Sequence, residues 1–455
     1  MKKFVHAAER AVKVLYKILP FFLGIYCYYP VFRTQGERIY PFLDAIYASL
    51  KLYSGVTESG VPVGALLQLA RFMALVATLS ILIGALQKMN DLVNRLKLLS
   101  GGATVVYGDS PFADRVYADL AKRSRIRGED KPIPNAARYL IMYSSDESSL
   151  GFYGKNHETL KGKRVYLMLD SVSPQNVDDP LITVFSPAEN CARQYWRAYP
   201  PDRSERIALI GFGNVGKKLL LYGLQLNILD PVGGFKYHIY GDGADFRRVY
   251  TELDQMSPDE IVFYDGGVTD FSALADYDRV ILADGGEENL SVLSKLFAAA
   301  PIGRVYVYTP SGDIVTELFG RERVTCFGTA DETASADMIL NERLLESAKA
   351  QHEAYREKYG GEPWERLSAF RRYSNISSAD YAPVIERLAA KGVPPETIAE
   401  LEHIRWCRYH YLNNWRYGET TDTARRVHNC LIPFADLSAE EKAKDVEAIK
   451  NRRKG

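Results

Sequence analysis

The sequence lacks the side-chain patterns that most familiar enzyme classes require. It contains no Gly-x-Ser-x-Gly elbow, no Walker loop and no His-Glu-x-x-His pair. These absences remove the sequence signals of α/β-hydrolases, P-loop NTPases and zinc proteases. We also find no His/Asp or Ser/Tyr/Lys arrangement suited to hydride transfer. The chain is therefore predicted not to be an enzyme, and no catalytic residue is assigned.

Cysteine and excess charge are scarce as well. Lysine plus arginine number 57, and aspartate plus glutamate also number 57, so the formal net charge is zero. The excess of positive charge that is typical of nucleic-acid-binding proteins is absent, and no nucleic-acid partner is predicted. The five cysteines form no Cys-x-x-Cys pair, so no metal site is predicted. Isolated cysteines are typical of a reducing compartment, where they pack as small core residues. They are Cys27, Cys191, Cys326, Cys407 and Cys430.

What the chain does contain is apolar sequence near its start. Residues 18–32 carry no charge and, with the residues just before them, approach the roughly 20 needed to cross a bilayer. A second apolar run, 63–86, is long enough to span and is followed by basic residues. Because positive charge flanks the N-terminus and the exit of the second run, both termini are predicted to be cytoplasmic. A cleaved signal peptide is the alternative for the first run, although no Ala-x-Ala-like site follows it.

The segment between these runs, 33–62, has a helical pattern of its own. Its apolar positions recur at helical spacing, and glycines follow at Gly55 and Gly60. Those positions are Phe42, Ile46, Leu50 and Tyr53. The order of helix, short amphipathic re-entrant helix, glycine-bearing loop and helix resembles the potassium-channel pore, and DAIYASLKLYSGVT (44–57) carries the resemblance.

The resemblance is incomplete at the filter. The filter of that family is a Thr-Val-Gly-Tyr-Gly loop whose carbonyls replace the hydration shell of the ion. Here the corresponding stretch is SGVTESG, so the resemblance implies passage of inorganic ions but not potassium selectivity. An amphipathic segment lying on the membrane between two plain anchors is the alternative. The candidate pore residues are Asp44, Ser54, Gly55, Thr57, Glu58 and Arg71.

Arg71 is a charged residue well inside the second apolar run. A charge at that depth usually faces a bundle interior or water, and its expected partner is Asp44 or Glu58. A side chain that extends to the outer interface is the alternative.

After a membrane module at 1–98, the pattern changes to strand, turn and helix. Residues 103–200 predict a degenerate Rossmann-like domain, with a first strand that ends at Gly108. Only that one fingerprint glycine is present, so its nucleotide site is expected to be weak or lost. Further strands are predicted at 139–145, 164–169 and 181–186.

Residues 204–330 repeat this layout more completely. A Gly-x-G-x-x-Gly motif at Gly211, Gly213 and Gly216 follows a strand and opens a helix. These glycines permit a tight turn, approach of a pyrophosphate and close helix–strand packing. Asp242, after the next strand, is the candidate for ribose hydroxyls, which predicts NAD(H) or another adenine nucleotide as cofactor. A structural Rossmann domain with an empty site is the alternative.

The stretch YDRVILADGGEENL (277–290) resembles the regulator-of-potassium-conductance (RCK, TrkA-N) domain. In that family a strand ends in a polar loop beside the nucleotide, and an acid and an asparagine open the next helix. The resemblance assigns Asp284, Glu287 and Asn289 to that region. It also supports the pore interpretation, because ligand-gated channels of that family couple two membrane helices to such domains.

A helical region is predicted for 335–455, beginning with a long amphipathic helix at 337–360. Its last part, about 395–450, resembles the ryanodine-receptor repeat (Ryr) domain. The matching positions are Glu402, His403, Trp406, Asn414, Trp415, Gly418, His428, Leu431, Pro433, Phe434, Leu437 and Asp445. Departures from the family pattern are Asn414, Asn429 and Phe434.

Aromatic and basic residues of this block predict a pocket that stacks a base and pairs with phosphate. The pocket candidates are Glu402, His403, Arg405, Trp406, Trp415 and His428, with Arg408, Tyr409, Tyr417, Arg425 and Arg426 as further contributors. The alternative is that the two tryptophans are core residues of a small helical domain and the arginines are solvated.

Taken together, the resemblances imply a membrane α module followed by tandem Rossmann-like α/β sheets and a small all-α Ryr-like domain. Bacterial proteins of this composition look like sensor-effectors that answer a nucleotide messenger, some of them suspected to act in defence systems. We therefore expect a nucleotide-responsive ion channel in a bacterial inner or plasma membrane, assembled as a homodimer or homotetramer. A membrane-anchored NAD(P)-binding enzyme and a non-conducting signalling scaffold are the alternatives.

Overall fold

The computed structural model describes residues 2–36, 38–172, 177, 179, 181–299, 302–310 and 314–452. Two compact units are present, Met1–Leu99 and Ser100–Gly455.

Three helices make up the first unit: α1 (Lys2–Thr34), α2 (Pro41–Lys51) and α3 (Ala65–Leu99). Two of their segments, Leu15–Thr34 and Ala65–Leu86, are long and apolar enough to cross a membrane, and only 22% and 17% of their residues are buried. Large apolar side chains such as Phe22 and Phe72 are about 60% exposed. So much exposed apolar surface is unusual for a helix in the core of a soluble protein.

The short helix α2 packs through small residues rather than through its large apolar side chains. Phe42 and Leu50 are 53% and 55% exposed, whereas Ala45, Ala48 and Ser49 are buried. Small side chains allow two helix backbones to approach closely, and this favours packing where lipid offers no hydrophobic drive between helices.

One close contact and two hydrogen bonds show how the α2 segment packs against the two long helices. A Cβ atom on Gly24, in the middle of α1, would lie 2.6 Å from the Ser49 hydroxyl. Beyond α2, a 3₁₀ turn at Leu52–Ser54 holds Tyr53, which donates to the Lys17 carbonyl at 2.5 Å and accepts from the Thr78 hydroxyl at 2.8 Å. The segment thus runs from the Thr34 end of α1 to the level of Lys17 and then returns to Ala65.

The second unit begins with a five-stranded parallel sheet in the order β2-β1-β3-β4-β5. The four strands predicted for this domain, β1, β3, β4 and β5, are confirmed. The strand β2 was not predicted from the sequence. The elements are β1 (Thr104–Tyr107), α4 (Pro111–Asp119), β2 (Arg125–Arg127), β3 (Arg138–Ile141), α5 (Asp146–Lys155), α6 (His157–Leu160), β4 (Val165–Met168) and β5 (Ile182–Phe185).

A second parallel sheet has six strands in the order β11-β10-β9-β6-β7-β8. Numbered from its own first strand, β6, this is the 3-2-1-4-5-6 order of dinucleotide-binding folds. The elements are α7 (Pro187–Ala198), β6 (Arg206–Ile210), α8 (Asn214–Leu226), β7 (Lys236–Tyr240), α9 (Ala244–Val249), β8 (Glu260–Tyr264), β9 (Arg279–Leu282), α10 (Gly286–Ala299), β10 (Val305–Tyr308), α11 (Ile314–Phe319) and β11 (Val324–Phe327).

The remaining elements are mostly helical: α12 (Ala330–Thr333), α13 (Ala336–Leu340), α14 (Glu346–Tyr359), α15 (Ala369–Ala390), α16 (Pro395–Tyr411), β12 (Arg416–Tyr417), β13 (Val427–His428) and α17 (Ala439–Arg452). The single helix predicted for 337–360 is interrupted between α13 and α14, where Glu342 has a left-handed φ of 51°. The interruption lets Ile339 pack in the core of the first sheet beside Val106 and Leu140.

Two helices, α4 and α7, start at serine–proline pairs that define their first turn. The Ser110 hydroxyl accepts from Ala113 N at 3.1 Å before α4, and the Ser186 hydroxyl accepts from Glu189 N at 3.0 Å before α7. Serine satisfies an otherwise unpaired amide there, and the following proline has the backbone angle that a first helical turn requires.

The helix α8 is the centre of the second unit. Nearly all of its side chains are buried, because α7, α15 and α16 cover the faces that the second sheet leaves open. Trp196 of α7 donates its indole N–H to the Leu219 carbonyl of α8 at 2.9 Å. The helix that follows the glycine motif is therefore in direct contact with the C-terminal helices.

Candidate functional site

The loop from Gly211 to Gly216 has the backbone that its glycines predict. Gly211 has φ +92°, and a Cβ atom on Gly216 would lie 2.2 Å from the Gly211 carbonyl oxygen. The space beside Gly213 is open, because the nearest heavy atom to an added Cβ, an oxygen of Asp284, lies 3.9 Å away. Two of the three glycines are thus required by the loop itself, and the third leaves its outer face free.

Two predicted cofactor residues lie at the carboxyl edge of the second sheet. Asp242 follows β7, is exposed, and accepts from Ala244 N at 2.9 Å. Asp284 follows β9, and its carboxyl group lies against Gly211, where an added Cβ would approach it to 2.4 Å. Burial, with a smaller contribution from Glu288, raises the pKa of Asp284. A carboxyl group at this position disfavours a second anion unless it is protonated.

Asn289, the third predicted cofactor residue of this edge, is buried in α10. Its amide nitrogen donates to the carbonyls of Asp284 and Tyr308 at 2.5 and 3.0 Å. The side chain thereby ties the ends of β9 and β10 together.

The corresponding loop of the first sheet is closed by its own side chains. The Ser110 hydroxyl donates to the Met142 carbonyl at 2.6 Å, and Asp109 accepts from Ser144 N at 2.8 Å. A Cβ atom on Gly108 would lie 2.1 Å from the Met142 oxygen. This geometry leaves little room for a phosphate above the loop.

A cavity of about 270 Å³ lies against α16 in the Ryr-like segment. Four of the six predicted pocket residues line it. Four other lining residues were not assigned to a pocket from the sequence. The lining consists of Glu402, His403, Trp406 and His428, together with Cys430, Leu437, Glu441 and Asp445. The four-residue spacing of Glu441 and Asp445 on the last predicted helix is the signal that would have indicated a shared face.

The other two predicted pocket residues lie elsewhere, so that part of the prediction was wrong. Trp415 is 6% exposed and stacks on Phe370 with ring centroids 5.1 Å apart. Arg405 is 2% exposed and makes hydrogen bonds of 2.8 and 3.0 Å to the two Glu402 carboxylate oxygens. Tryptophan and arginine side chains can face the core as readily as a ligand, and here both do.

The further phosphate-pairing candidates do not join the cavity either. Arg408 is buried and pairs with Asp259, and Tyr409 is buried. Tyr417, Arg425 and Arg426 are exposed or partly exposed and do not line the cavity. The predicted basic pocket is replaced by one in which carboxylates supply the charge.

Burial keeps the histidines around Trp406 uncharged. It lowers the pKa of His403 and His428, and it lowers the pKa of His410 to about 3. Removing an imidazolium from water is costly, and the carboxylates of Glu402 and Glu441 offset that cost only in part at His403 and His428. The rings of His403 and His410 lie 5.7 and 4.0 Å from the Trp406 ring, centroid to centroid.

A chain of hydrogen bonds leads from the cavity to α8. Glu402 holds Arg405, whose guanidinium donates to the Ser377 hydroxyl of α15 at 2.9 Å. Ser377 in turn donates to the Gln225 side chain of α8 at 2.8 Å. We call Glu402, Arg405, Ser377 and Gln225 the polar relay.

A buried ion pair adds a second link between α16 and the second sheet. Arg408 contacts Asp259 at 2.7 Å, and the two side chains are 3% and 2% exposed. Arg408 also donates to the Leu224 and Met256 carbonyls at 2.9 and 3.0 Å. Burial raises the pKa of Asp259, and Arg408 opposes that rise. Together with the polar relay, this pair joins α16 to α8.

The predicted pore residues form ion pairs that differ from the expected ones. Glu58 pairs with Lys51 at 2.8 Å, and Asp44 pairs with Arg38 at 3.5 Å. Arg71 instead donates to Gln68 of its own helix at 3.0 Å, so the expected pairing of Arg71 with an acid was wrong. Ser54 ends the 3₁₀ turn after α2, and Gly55 and Thr57 follow it.

Comparison with known proteins adds one match. The family model of the RyR domain matches residues 393–454, which agrees with the Ryr-like segment predicted at about 395–450. No curated protein and no solved structure matches the chain. No group of three or more His, Cys, Asp or Glu side chains that could hold a metal ion occurs in the part of the chain that the structure describes.

Proposed function

We propose that this protein is a ligand-responsive membrane effector, an oligomeric ion channel controlled by its second unit. The observation that carries the proposal is the polar relay with the Arg408–Asp259 pair, which connects a ligand-sized cavity to α8 through buried, directional contacts. A ligand that prefers one arrangement of α16 would therefore bias the arrangement of α8.

The membrane part of the proposal rests on the first unit. Exposed apolar side chains on α1 and α3 favour a lipid environment. The eleven residues of α2 extend roughly 16 Å, about half of a bilayer core of roughly 30 Å. A short helix that enters to this depth and returns supports a re-entrant pore element. A pair of membrane helices encloses no pore alone, so the channel is a homo-oligomer, a dimer or tetramer.

The second sheet supplies the proposed cofactor site. Its strand order and glycine loop support NAD(H) or another adenine nucleotide. The pyrophosphate would lie beside Gly213, and the exposed Asp242 after β7 would accept from the ribose hydroxyls. In this proposal, the nucleotide acts on α8 at its N-terminus, and the ligand of the cavity acts on it through Gln225 and Leu224 near its C-terminus.

Ion flux from liposomes that carry the full-length protein tests the function. We expect flux that depends on one member of a panel of adenine dinucleotides and cyclic nucleotides. The absence of flux with every ligand, in vesicles shown to hold folded and oriented protein, would contradict a channel. Turnover of NAD(P)H by the same preparation would instead support an anchored enzyme, and binding without either would support a scaffold.

A further inference from the structure

The charge around the cavity on α16 is of one sign. Glu402, Glu441 and Asp445 contribute carboxylates, and the lining contains no lysine or arginine among the described residues. The nearest guanidinium, that of Arg405, is buried behind Glu402. A phosphate in this cavity would face the carboxylates of its lining, which is unfavourable.

His403 adds a hydrogen-bond acceptor that faces the same space. The residue is 6% exposed, and its Nε2 lies 2.8 Å from the Ile432 carbonyl oxygen. A carbonyl accepts only, so Nε2 carries the proton and Nδ1 of the neutral ring is an acceptor. Nδ1 has no hydrogen-bond partner among the described residues, although His403 lines the cavity. Nδ1 is not among the buried side-chain atoms that lack a partner, so it is open to solvent, and a ligand that brings a donor can reach it.

His428 contributes the opposite group. Its Nδ1 accepts from Cys430 N at 3.1 Å, so in the neutral ring Nε2 carries the proton and is a donor. The cavity therefore presents several acceptors and one imidazole donor, with Trp406 on the same wall.

We propose that this cavity binds the amine-bearing edge of a heterocycle, such as the 6-amino edge of a purine, and directs any phosphate groups away from it. The amine donates to the carboxylates and to His403, and the adjacent ring nitrogen accepts from His428. A cavity of about 270 Å³ lies just below the roughly 300–1,000 Å³ range of ligand pockets, which suits one heterocycle rather than a whole dinucleotide. This inference rests on the proposed function, since it names the ligand class of the same effector.

A matched pair of probes tests it by calorimetry on the full-length protein in detergent. Adenosine carries the 6-amino group, and purine riboside differs only in lacking it. We expect adenosine to bind at least about tenfold more tightly, because a hydrogen bond to a charged group contributes about 1.5–3 kcal/mol and 1.4 kcal/mol is a factor of ten. We also expect inorganic pyrophosphate not to compete with adenosine. Equal affinity of the two nucleosides, competition by pyrophosphate, or no binding of either nucleoside would overturn the proposal.

A pair of neighbouring variants assigns the binding to this cavity. Asp445→Asn removes one lining charge and is expected to weaken adenosine binding by about tenfold or more. Glu440→Gln removes a charge from the same helix outside the cavity and should leave the affinity unchanged. If Asp445→Asn leaves the affinity unchanged, or if both variants weaken it equally, the site lies elsewhere and the proposal is wrong.

The outcomes separate this inference from the proposed function. Amine-dependent binding without ion flux leaves the inference standing and contradicts the channel. Ligand-dependent flux without preference for adenosine over purine riboside leaves the channel standing and contradicts the inference.

Discussion

The glycine loop at Gly211–Gly216 and the cavity on α16 lie on two elements that touch, yet they are built from different parts of the chain. The glycine loop exposes main-chain atoms to a ligand, and the carboxyl group of Asp284 lies against it. The cavity offers side chains, and its charge comes from carboxylates on α16 and α17. The comparison shows that a motif with the right spacing fixes the shape of a site, whereas the residues brought to it by the fold fix which ligand charge it accepts.

The ion pair between Arg408 and Asp259, which links the two sites, is tested first because its loss should have the largest effect. Arg408→Met leaves Asp259 buried without its partner, and we expect a loss of about 3–5 kcal/mol in the free energy of unfolding. All four tryptophans lie in the second unit, so tryptophan fluorescence in urea reports its unfolding. Arg408→Met with Asp259→Asn should recover part of the loss. An unchanged unfolding midpoint in the single variant would show that the pair does not join α16 to the sheet.

The loop itself can be tested with two glycines that differ in their surroundings. Gly216→Ala places a Cβ atom against the Gly211 carbonyl, so we expect destabilisation of about 3 kcal/mol, the upper end for overpacking. Gly213→Ala meets open space and should change stability by less than about 0.5 kcal/mol.

The second of these glycine variants also reports on nucleotide binding. If a pyrophosphate approaches the loop, Gly213→Ala should weaken binding of NAD(H) while stability is retained, as measured by calorimetry. Unchanged NAD(H) affinity would favour the alternative of an empty, structural Rossmann domain.

The polar relay offers a smaller but more specific change. Ser377→Ala leaves the Arg405 guanidinium and the Gln225 amide each without one partner, and we expect a loss of about 1–3 kcal/mol. Hydrogen exchange of α8 amides, with and without adenosine, shows whether the relay transmits binding. We expect ligand protection of α8 in the wild type and its loss in Ser377→Ala. Equal protection in both would mean that the relay is only structural.

The histidines around Trp406 predict a further loss of stability in acid. Burial lowers the pKa of His403 and brings that of His410 to about 3, whereas both titrate near 6.5 in the unfolded chain. The unfolded state therefore binds more protons below pH 6.5, and stability falls as the pH drops from 6.5 towards 3. From pH 7 to pH 6 we expect His410 alone to account for about 0.7 kcal/mol of the loss, to be compared with His410→Gln by urea unfolding. A variant whose stability falls as steeply as that of the wild type would contradict this assignment.

Apolar patterns were sufficient to predict the parallel strands and the two long apolar helices, and the resemblance to a family motif was sufficient to predict the Ryr-like segment. They did not predict β2, whose three residues are too few for a pattern, or the break at Glu342, which exists so that Ile339 can reach the first sheet. Packing between elements distant in sequence decides such features.

The cavity shows the same limit on prediction from sequence. Glu402, His403, Trp406 and His428 were found because they lie in a recognisable motif. Arg405 and Trp415 share that motif but face inward, because Ser377 and Phe370 of the preceding helix, α15, are their neighbours. The acidic character of the cavity depends on α17 folding back onto α16, which no local pattern specifies.

The most direct test is a dose–response curve of ion flux from liposomes that carry the wild type, Asp445→Asn or Glu440→Gln, titrated with the adenine nucleotide that opens the channel. We predict that Asp445→Asn shifts the half-maximal concentration upward by about tenfold or more and that Glu440→Gln superimposes on the wild type. Superimposed curves for all three proteins, or no ligand-dependent flux from any of them, would contradict a channel controlled from the cavity on α16.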